Sequence, residues 1–443
     1  MEQLLHYIWK HKIFPLKELT TTDGKKVEVI NPGMYNYDAG PDFKEAKVKI
    51  DGVLWVGNVE MHVRTSDWFR HGHDKDTSYD NIILHVVNIV DDTLKYPDGN
   101  DIPQMQLDIP DYIKENYDKL LRSDCSPRCK NILGNVPRLL VHSWLSVLQV
   151  ERLEERSHQI LERWELLDKN WEDTLFVTIA RNFGFGKNGE AFEQWAHSVP
   201  MNAVGKHRDS LFQIEAIFFG QAGLLNENNK QSDYYIRLQK EYAYLRQKFS
   251  LTPINPNVWK FLRLRPQNFP HIRIAQLATL YYSQKFNMSR IIESDSVDII
   301  YSLLNTKVSD YWQTHYTFSS DAVKPTDKQL TKSSKDLIII NGISPILFVY
   351  GRYKGYDSLC EKAITLWESI KPENNRYIRD WTAAGIQPEH AADTQALIQL
   401  SHNYCEKHDC LRCRFGREYI GNTPDFLCEK KVLSPRIELG SNL

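Results

Sequence analysis

The pattern of apolar and polar positions changes near residue 110. Before it, short runs rich in valine and isoleucine are broken by turn signals, as in KKVEVINPG, EAKVKIDGVLWVGNVEMHV, NIILHVVNIV and MQLDIP. After it, apolar residues recur every three or four positions over long stretches, beginning with YIKENYDKLL. A period of two is typical of strands, and a spacing of three to four is typical of amphipathic helices. The pattern therefore predicts an N-terminal α/β domain, a sheet with an N-terminal helix, followed by a mainly α-helical region.

We interpret the chain as several domains, because 443 residues exceed the size at which a single core usually stops growing. The α/β domain is predicted to span residues 1–110, and a helical domain residues 111–335. A helical C-terminal region with a cysteine cluster is predicted for residues 336–430. Residues 431–443 follow no periodic pattern, and we expect them to form a disordered tail.

Composition restricts the classes of function. With 42% hydrophobic and 25% charged residues, the chain resembles ordinary globular proteins. Its net charge of −2 excludes nucleic-acid binding through a basic overall field, so such binding would need a local patch. The segment MEQLLHYIWKHKIF lacks the features of a signal peptide, and no apolar run approaches the roughly 20 residues that cross a bilayer. We therefore expect a cytoplasmic protein without a membrane partner.

A hairpin with two facing carboxylates is predicted in GPDFKEAKVKIDGVLWVGNVEMHVRTSDW, residues 40–68. The Asp-Gly pair at residues 51–52 is a turn signal, and a three-residue loop would pair Lys49 with Val53. In that register Asp42 lies opposite Glu60 on the same side, with Cβ atoms about 5 Å apart. Two carboxylates at this separation repel each other unless a cation is shared between them.

A divalent cation would explain this placement. Mg²⁺ prefers hard oxygen ligands and is often held by one or two carboxylates together with water and phosphate oxygens. We predict that Asp42, Glu60 and the backbone carbonyl of Met61 bind Mg²⁺ or Mn²⁺. His62 points to the same side as Glu60, where it would orient or deprotonate a water molecule. The alternative is that Glu60, His62 and Arg64 form only the solvated face of a half-exposed strand.

The Pro-Asp pair at residues 41–42, the hairpin, and the Glu-Met-His run at residues 60–62 resemble the signature of the PD-(D/E)XK nuclease superfamily. In that signature the two acidic residues bind Mg²⁺ and a lysine helps to activate the attacking water. The resemblance implies a restriction-endonuclease-like N-terminal domain with a mixed sheet, and hydrolysis of DNA or RNA phosphodiesters. His62 stands where the signature has lysine. Three readings stay open: His62 is the base, a lysine such as Lys44 or Lys75 is recruited, or the domain is inactive.

The whole chain also resembles an uncharacterised bacterial family, a domain of unknown function of about this length. The resemblance rests on GPDF, GNVEMHVRTSDW, the ILHVV strand and the cysteine-rich C-terminal end. It implies no established activity.

More imidazole and carboxylate groups follow the hairpin. They occupy a predicted loop and strand and comprise His71, His73, Asp74, Asp76, Asp80 and His85. Such density suits contacts to a metal site or a substrate, although a polar loop gives the same composition. We expect His85 to be buried and hydrogen-bonded rather than catalytic.

A second metal site is predicted at the cysteines of HNYCEKHDCLRCRFG, which are Cys405, Cys410 and Cys413. A Cys-x-x-Cys pair brings two sulfurs to one ion, so we predict structural zinc there. An iron–sulfur cluster fits less well because the run lacks a fourth local cysteine, and reduced, partly buried thiols are the alternative. The candidates for a fourth ligand are His402, His408, Cys428 and a distant cysteine. Cys125 and Cys129 could join the trio if the chain returns to them.

A local basic patch is the remaining candidate for nucleic-acid binding. The stretch NVWKFLRLRPQNFPHIRIAQLA interleaves aromatic residues with Lys260, Arg263, Arg265 and Arg273. Basic groups neutralise phosphates and aromatic rings stack on unpaired bases, but an amphipathic helix gives the same alternation without a ligand.

These observations give two hypotheses. The first is a Mg²⁺-dependent, nuclease-like enzyme in which Asp42 and Glu60 hold the ion. The second is a catalytically inactive protein of the same fold that serves as a nucleic-acid or protein binding module.

Overall fold

The computed structural model describes residues 1–14, 18–226 and 232–421. The predicted C-terminal tail and Cys428 lie outside the described residues.

The N-terminal part of the chain forms a seven-stranded mixed sheet, as predicted. Its strands are β1 (Leu19–Thr20), β2 (Lys26–Asn31), β3 (Met34–Tyr35), β4 (Phe43–Ile50), β5 (Val53–Arg64), β6 (Ile82–Ile89) and β7 (Gln104–Gln106). The order is β1-β2-β4-β5-β6-β7, with β3 beside β4. Pairing is antiparallel as far as β5, whereas β5, β6 and β7 are parallel. A bridge between Thr21 and Met105 brings the two ends together, so the sheet almost closes into a barrel.

Strand β6 lies at the centre of the parallel part of the sheet. Its first six residues, IILHVV, are all buried, and this continuous apolar run is typical of a parallel strand covered on both faces. The connection from β5 to β6 contains the short helix α2 (Asp67–His71). Helix α1 (Glu2–Lys10) packs against β5 through a buried face that includes Leu5, Ile8 and Trp9. The sheet therefore has its core around β5 and β6.

The hairpin between β4 and β5 has a two-residue turn, and the predicted three-residue loop is wrong. Asp51 and Gly52 both have positive φ angles, 51° and 81°, as a type I′ turn requires. Ile50 therefore pairs with Val53, one position away from the predicted register. Residues 53–56, at this end of β5, are all exposed.

A β-bulge on β4 shifts the register back. Between Phe43 and Ala46 the pairing changes by one residue, and Glu45 has a φ of 56°. Phe43 consequently pairs with Val59. The next position along this ladder sets Asp42 opposite Glu60, the residue that follows Val59 on β5. The predicted facing pair therefore forms, but only through a bulge that the sequence does not reveal.

The region after the sheet is mainly helical, as predicted. Its α-helices are α3 (Asp111–Arg122), α4 (Lys130–Leu133), α5 (Arg138–Leu166), α6 (Trp171–Phe183), α7 (Gly189–Ser198), α8 (Met201–Gly205), α9 (Leu211–Gln221), α10 (Asp233–Phe249), α11 (Pro270–Tyr282), α12 (Met288–Glu293), α13 (Val297–Leu303), α14 (Asp310–Thr314), α15 (Lys332–Ile338), α16 (Ser344–Lys354), α17 (Asp357–Glu368), α18 (Arg376–Ala383), α19 (Ala391–Leu400) and α20 (Arg414–Gly421). Two π-helical turns, Ile339–Ile343 and Ser401–Cys405, continue α15 and α19. None of the described helices combines the length and the apolar character needed to cross a bilayer.

The chain divides into two compact units. The sheet unit comprises residues 1–138, 383–386 and the described chain from 401 onwards, and the helical unit comprises residues 139–382 and 387–400. The C-terminal segment thus returns to the sheet unit, where α20 packs against α3 and the Asn116 amide donates to the carbonyls of residues 419 and 420 at 3.4 and 3.3 Å. The predicted domain boundaries at residues 110, 335 and 430 remain predictions.

The helical unit is built around a large apolar core rich in aromatic side chains. His271 on α11 lies in this core and contacts the rings of Phe219, Phe261, Trp312 and Phe318. Burial lowers its pKa to about 3. The folded protein therefore holds this imidazole neutral where an exposed histidine would be charged.

Replacing His271 with phenylalanine should make the protein less sensitive to acid. Below about pH 6.5 the His271 imidazole binds a proton in the unfolded chain but not in the folded chain. The free energy of unfolding therefore falls as the pH falls, by about 2 kcal/mol at about pH 5. We expect His271→Phe to reduce the loss of unfolding free energy between about pH 7 and about pH 5 by roughly that amount, measured by urea unfolding. The matched control is His158→Phe on the exposed face of α5, which should leave the loss unchanged. If the unfolding free energy of His271→Phe and that of the wild type fall equally with pH, the predicted effect of burying His271 is wrong.

Candidate functional site

Two carboxylates from neighbouring strands meet at the start of β4. The backbone amide of Asp42 donates to Glu60 Oε2 at 3.0 Å, and Asp42 Oδ2 accepts a hydrogen bond from the backbone amide of Met61 at 3.0 Å. The side chain of Glu60 is 6% exposed and that of Asp42 is 22% exposed. The two hydrogen bonds fix both carboxyl groups against the main chain, on the same side of the sheet. The backbone amide of Met61 donates the hydrogen bond to Asp42. Binding of a metal by the backbone carbonyl of Met61 stays a prediction.

A group of histidines surrounds the buried carboxylate. His62 on β5 lies two residues beyond Glu60, and its Nδ1 is 2.9 Å from Nε2 of His85 on the parallel strand β6. Its Nε2 is 3.1 Å from Nδ1 of His71, at the end of α2. His73 follows one turn later, with its Nε2 3.3 Å from Glu60 Oε1. The parallel pairing of β5 with β6 and the short α2 connection therefore bring four imidazoles into one group, in which His62 and His73 lie against Glu60.

Three of these imidazoles have the spacing of ligands around one ion. One ligand atom from each of His62, His71 and His73 lies within 4.8 Å of the other two. Glu60 Oε1 is 3.3 Å from His73 Nε2 and 3.8 Å from His62 Nε2. A tetrahedral ion with bonds of about 2.0–2.1 Å places its ligand atoms roughly 3.3 Å apart. The three histidines can therefore share one ion, with Glu60 beside His62 and His73.

Burial determines the charge state of the histidines in the strands. It is the main cause that lowers the pKa of His62 to about 2, with a smaller contribution from the neighbouring histidines. Burial likewise lowers the pKa of His85 to about 3. For Glu60, burial raises the pKa, while the contact with His73 opposes it. His62 is consequently neutral at physiological pH, so it offers a lone pair to a ligand rather than the positive charge of the lysine in the nuclease signature.

A histidine that the sequence analysis missed approaches Asp42 from α1. His6 Nε2 is 3.2 Å from Asp42 Oδ2, and His6 Nδ1 is 3.4 Å from the hydroxyl of Tyr35. Burial lowers the pKa of His6, but the hydrogen bond and the negative charge of Asp42 outweigh it, so the pKa is raised. The available signal was a histidine on the buried face of an N-terminal amphipathic helix. Nothing in the linear pattern indicated which carboxylate it would meet.

A cavity of about 260 Å³ opens beside His6. Its wall is a mixture of cationic, imidazole and aromatic side chains together with the chain near residue 410, and the lining residues are Gln3, His6, Tyr7, Lys10, His11, Tyr35, Tyr37, Asp409, Leu411 and Arg412. Lys10 Nζ lies 5.4 Å from the ring centroid of Tyr35, and Arg412 Cζ lies 5.8 Å from that of Tyr37. Cations beside aromatic faces are therefore available next to the carboxylate and histidine cluster.

Other candidates near the hairpin lie at the surface. Lys44 and Lys75, the lysines considered as substitutes, are both exposed. The loop carboxylates Asp74, Asp76 and Asp80 are exposed as well, and Asp76 accepts a hydrogen bond from the amide of Ser78 at 2.9 Å.

The predicted basic patch is only partly a surface feature. Lys260, Arg263 and Arg265 are exposed, but Arg273 is 5% exposed and donates to Gln276 and Asn268 at 2.8 and 2.6 Å. Arg273 therefore does not share a surface with the other three. The aromatic residue at position 259 is also buried, with its ring nitrogen bonded to a backbone carbonyl.

The predicted cysteine trio lies between the π-helical turn and α20. Cys410 and Cys413 are buried, and Cys405 is half-buried. Cys129, from the turn before α4, is buried in the same unit. The sequence could not place this fourth cysteine, because it is separated from the trio by the entire helical unit.

The fold and the site together define an α/β protein with a helical second unit and a cluster of histidine and carboxylate side chains around the buried Glu60. The chain belongs to the family described as "Protein of unknown function (DUF2851)", whose model matches residues 2–376. The matched range contains the histidines and carboxylates described above and ends before the cysteine trio. Searches of the curated proteins and of the solved structures find no significant match.

The bulge that places Asp42 opposite Glu60 should tolerate some substitutions at Glu45 better than others. A left-handed φ is unfavourable for a β-branched residue and free of strain for glycine. We expect Glu45→Val to lower the unfolding free energy by about 1–2 kcal/mol relative to Glu45→Gly, measured by urea unfolding. Lys47→Val, at an exposed position within the same strand, should be nearly neutral. Equal stability of the two variants at position 45 would show that the bulge is placed elsewhere.

Proposed function

We propose that this chain is a metal-dependent phosphodiesterase of the nuclease type, acting on DNA or RNA. The observation that carries the proposal is the group of His62, His71 and His73, with Glu60 against His73 and hydrogen-bonded to the amide of Asp42. Burying the Glu60 carboxylate and the His62 imidazole side by side is costly in a fold unless they bind something. A cation shared by these groups removes that cost.

The order of elements supports a restriction-endonuclease-like type for the sheet unit. Helix α1 is followed by antiparallel strands, with the Asp at the start of one strand and the Glu within the next, and then by a parallel strand. The resemblance of residues 41–42 and 60–62 to the nuclease signature therefore has a matching structural context, although the signature alone is short.

The donor set favours a transition metal over Mg²⁺. Mg²⁺ takes oxygen ligands, whereas imidazole nitrogens suit Zn²⁺, Mn²⁺ and Fe²⁺. Three histidines and one carboxylate, His62, His71, His73 and Glu60, would hold such an ion, and we propose Mn²⁺ or Zn²⁺ in place of the Mg²⁺ expected from the sequence. When bound, the ion would polarise a phosphoryl oxygen and lower the pKa of a coordinated water.

The remaining polar groups have complementary roles in this proposal. Asp42 is fixed by the Met61 amide and paired with His6, so this pair would accept the proton of the attacking water. The role of base moves from His62 to the pair because burial leaves His62 with a pKa of about 2. Lys10 and Arg412 at the cavity would neutralise substrate phosphates, and the tyrosines beside them would stack on bases.

Cleavage assays test the proposed activity directly. Purified protein is incubated with labelled single- and double-stranded DNA and RNA in the presence of Mn²⁺, Zn²⁺ or Mg²⁺. We expect Asp42→Asn and Glu60→Gln to lower the cleavage rate by at least about 100-fold. Glu28→Gln, which removes an exposed carboxylate on the neighbouring strand β2, should retain the wild-type rate. Equal residual cleavage in all four proteins would reject the enzyme, and substrate binding without cleavage would favour the alternative of a binding module.

Metal binding can be measured without reference to activity. We expect one Mn²⁺ or Zn²⁺ per chain at the histidine site in calorimetric titrations, bound more tightly than Mg²⁺. Because each ligand contributes directly, His73→Gln and Glu60→Gln should weaken binding by at least about tenfold. His142→Gln, at an exposed histidine of α5, is the control and should bind as the wild type does. Tighter binding of Mg²⁺, or affinities unaffected by both substitutions, would count against the proposed ligand set.

A further inference from the structure

Four cysteines from distant parts of the sequence lie in one region of the sheet unit. Cys129 ends the turn before α4, whereas Cys405, Cys410 and Cys413 belong to the segment that leads into α20. The structure buries Cys129, Cys410 and Cys413 to 9% exposure or less. Buried sulfurs from two separate segments are unusual unless the segments are held together.

Arg128 holds the two segments together. Its guanidinium donates to the carbonyls of Leu120 and Leu121 at 3.2 and 2.6 Å, at the end of α3. It also donates to the ring of His408, which is 280 positions further along the chain. Cys129 is the next residue, so this contact places its thiol beside the C-terminal segment.

The C-terminal cysteines are themselves arranged by a tight turn. The carbonyl of Cys413 accepts the amide of Arg417 at 2.9 Å, which starts α20. A Cβ atom at Gly416 would lie 2.0 Å from the carbonyl oxygen of Cys410, so only glycine allows the helix to pack this closely on the turn. The turn that carries Cys410 and Cys413 is therefore packed directly against the first residues of α20.

The four thiols also influence one another electrostatically. Burial is the main cause that raises the pKa of Cys129, and Cys413, Cys405 and Cys410 each raise it further. Burial is again the main cause that raises the pKa of Cys405, and Cys413 and Cys410 add to it. The half-buried Cys125 instead has a lowered thiol pKa, chiefly through its hydrogen bond with Lys130, and the other cysteines are not among the causes of that shift.

We propose that Cys129, Cys405, Cys410 and Cys413 together bind one iron–sulfur cluster. The sequence predicted zinc from the Cys-x-x-Cys pair and disfavoured a cluster because the local run lacks a fourth cysteine. Cys129 is our candidate for that fourth cysteine. Cys405, Cys410 and Cys413 have the spacing C-x4-C-x2-C, which together with one remote cysteine is an arrangement used by iron–sulfur proteins.

The separation of the sulfurs favours a cluster over a single zinc ion. A zinc ion with Zn–S bonds of about 2.3 Å requires sulfurs roughly 3.8 Å apart. Within the described part of the chain, the group whose three ligand atoms all approach within 4.8 Å is the histidine group, so no three of these four sulfurs are that close. An iron–sulfur cluster places several irons and sulfides between its thiolates and holds them further apart. Each thiol loses its proton when its sulfur binds iron, and the charge of Arg128 beside Cys405 and Cys410 offsets part of the resulting negative charge.

Such a cluster would cross-link two chain segments and so hold in place the segment that forms part of the wall of the cavity beside His6. It would join the turn before α4 to the segment of Asp409, Leu411 and Arg412, which lines the cavity beside His6. Cross-links that close long loops restrict the unfolded chain most. The inference does not rest on the proposed nuclease activity, since the cluster requires only the four cysteines.

The test measures iron and acid-labile sulfide in full-length protein purified without oxygen. We expect both elements in the wild type, with a broad visible absorption, and their loss in Cys129→Ser, Cys405→Ser, Cys410→Ser and Cys413→Ser. Cys125→Ser and Cys360→Ser are matched controls, one beside Cys129 and one in the helical unit, and they should keep the wild-type content. Cys428→Ser should also keep it.

Three results would overturn the proposal: one zinc per chain without sulfide, no metal after reconstitution of the wild type with ferrous iron and sulfide, or a full cluster in Cys129→Ser. Loss of the cluster in Cys428→Ser but not in Cys129→Ser would overturn the assignment of Cys129. If a serine variant fails to fold, spectroscopy and reconstitution of the wild type still decide between a cluster and zinc. A trypsin digest adds a second readout, because loss of the cluster should speed cleavage after Arg412 at least about tenfold.

Discussion

The cost of burying ionisable groups is the constraint on which the sheet unit depends. Glu60 is almost inaccessible to solvent, and His62 and His85 are buried beside it. An isolated carboxylate in such a place would lose more hydration energy than the fold could recover, so each group must be satisfied by a neighbour. The amide of Asp42 and the histidine rings provide those neighbours. The cluster of histidine and carboxylate side chains therefore depends on the pairing of β5 with β4 and with β6.

Strand topology and site chemistry are connected through this requirement. The antiparallel hairpin brings Asp42 to Glu60, and the parallel strand β6 adds His85 from the other side of β5. A one-residue change of register in either pairing would turn these side chains to the opposite face of the sheet. The bulge at Glu45 is therefore a functional element of the fold, and it lies away from the groups that it positions.

The two clusters of potential metal ligands differ in how the chain assembles them. The histidines come from neighbouring strands and a short connection, so they meet as soon as β5 pairs with β6. The cysteines come from segments on either side of the helical unit and meet only when the C-terminal chain has returned to the sheet unit. The first cluster depends on local topology and the second on the complete chain. The contact between Arg128 and His408 shows how the second assembly is stabilised without a ligand.

The sequence by itself determined the strands, the change to helices after residue 110, and the position of the turn between β4 and β5. These features follow from periodicity and turn residues, which act over a few positions. Only the tertiary structure decided the exact register of β4 and β5 and the contact of His6 with Asp42. It also decided the burial of Arg273 and the return of the C-terminal cysteines to the unit that contains Cys129. They depend on which surfaces of distant segments pack together, and a linear pattern carries no record of such contacts. The sequence supplied the chemical groups, and the packing of distant segments selected which of them meet.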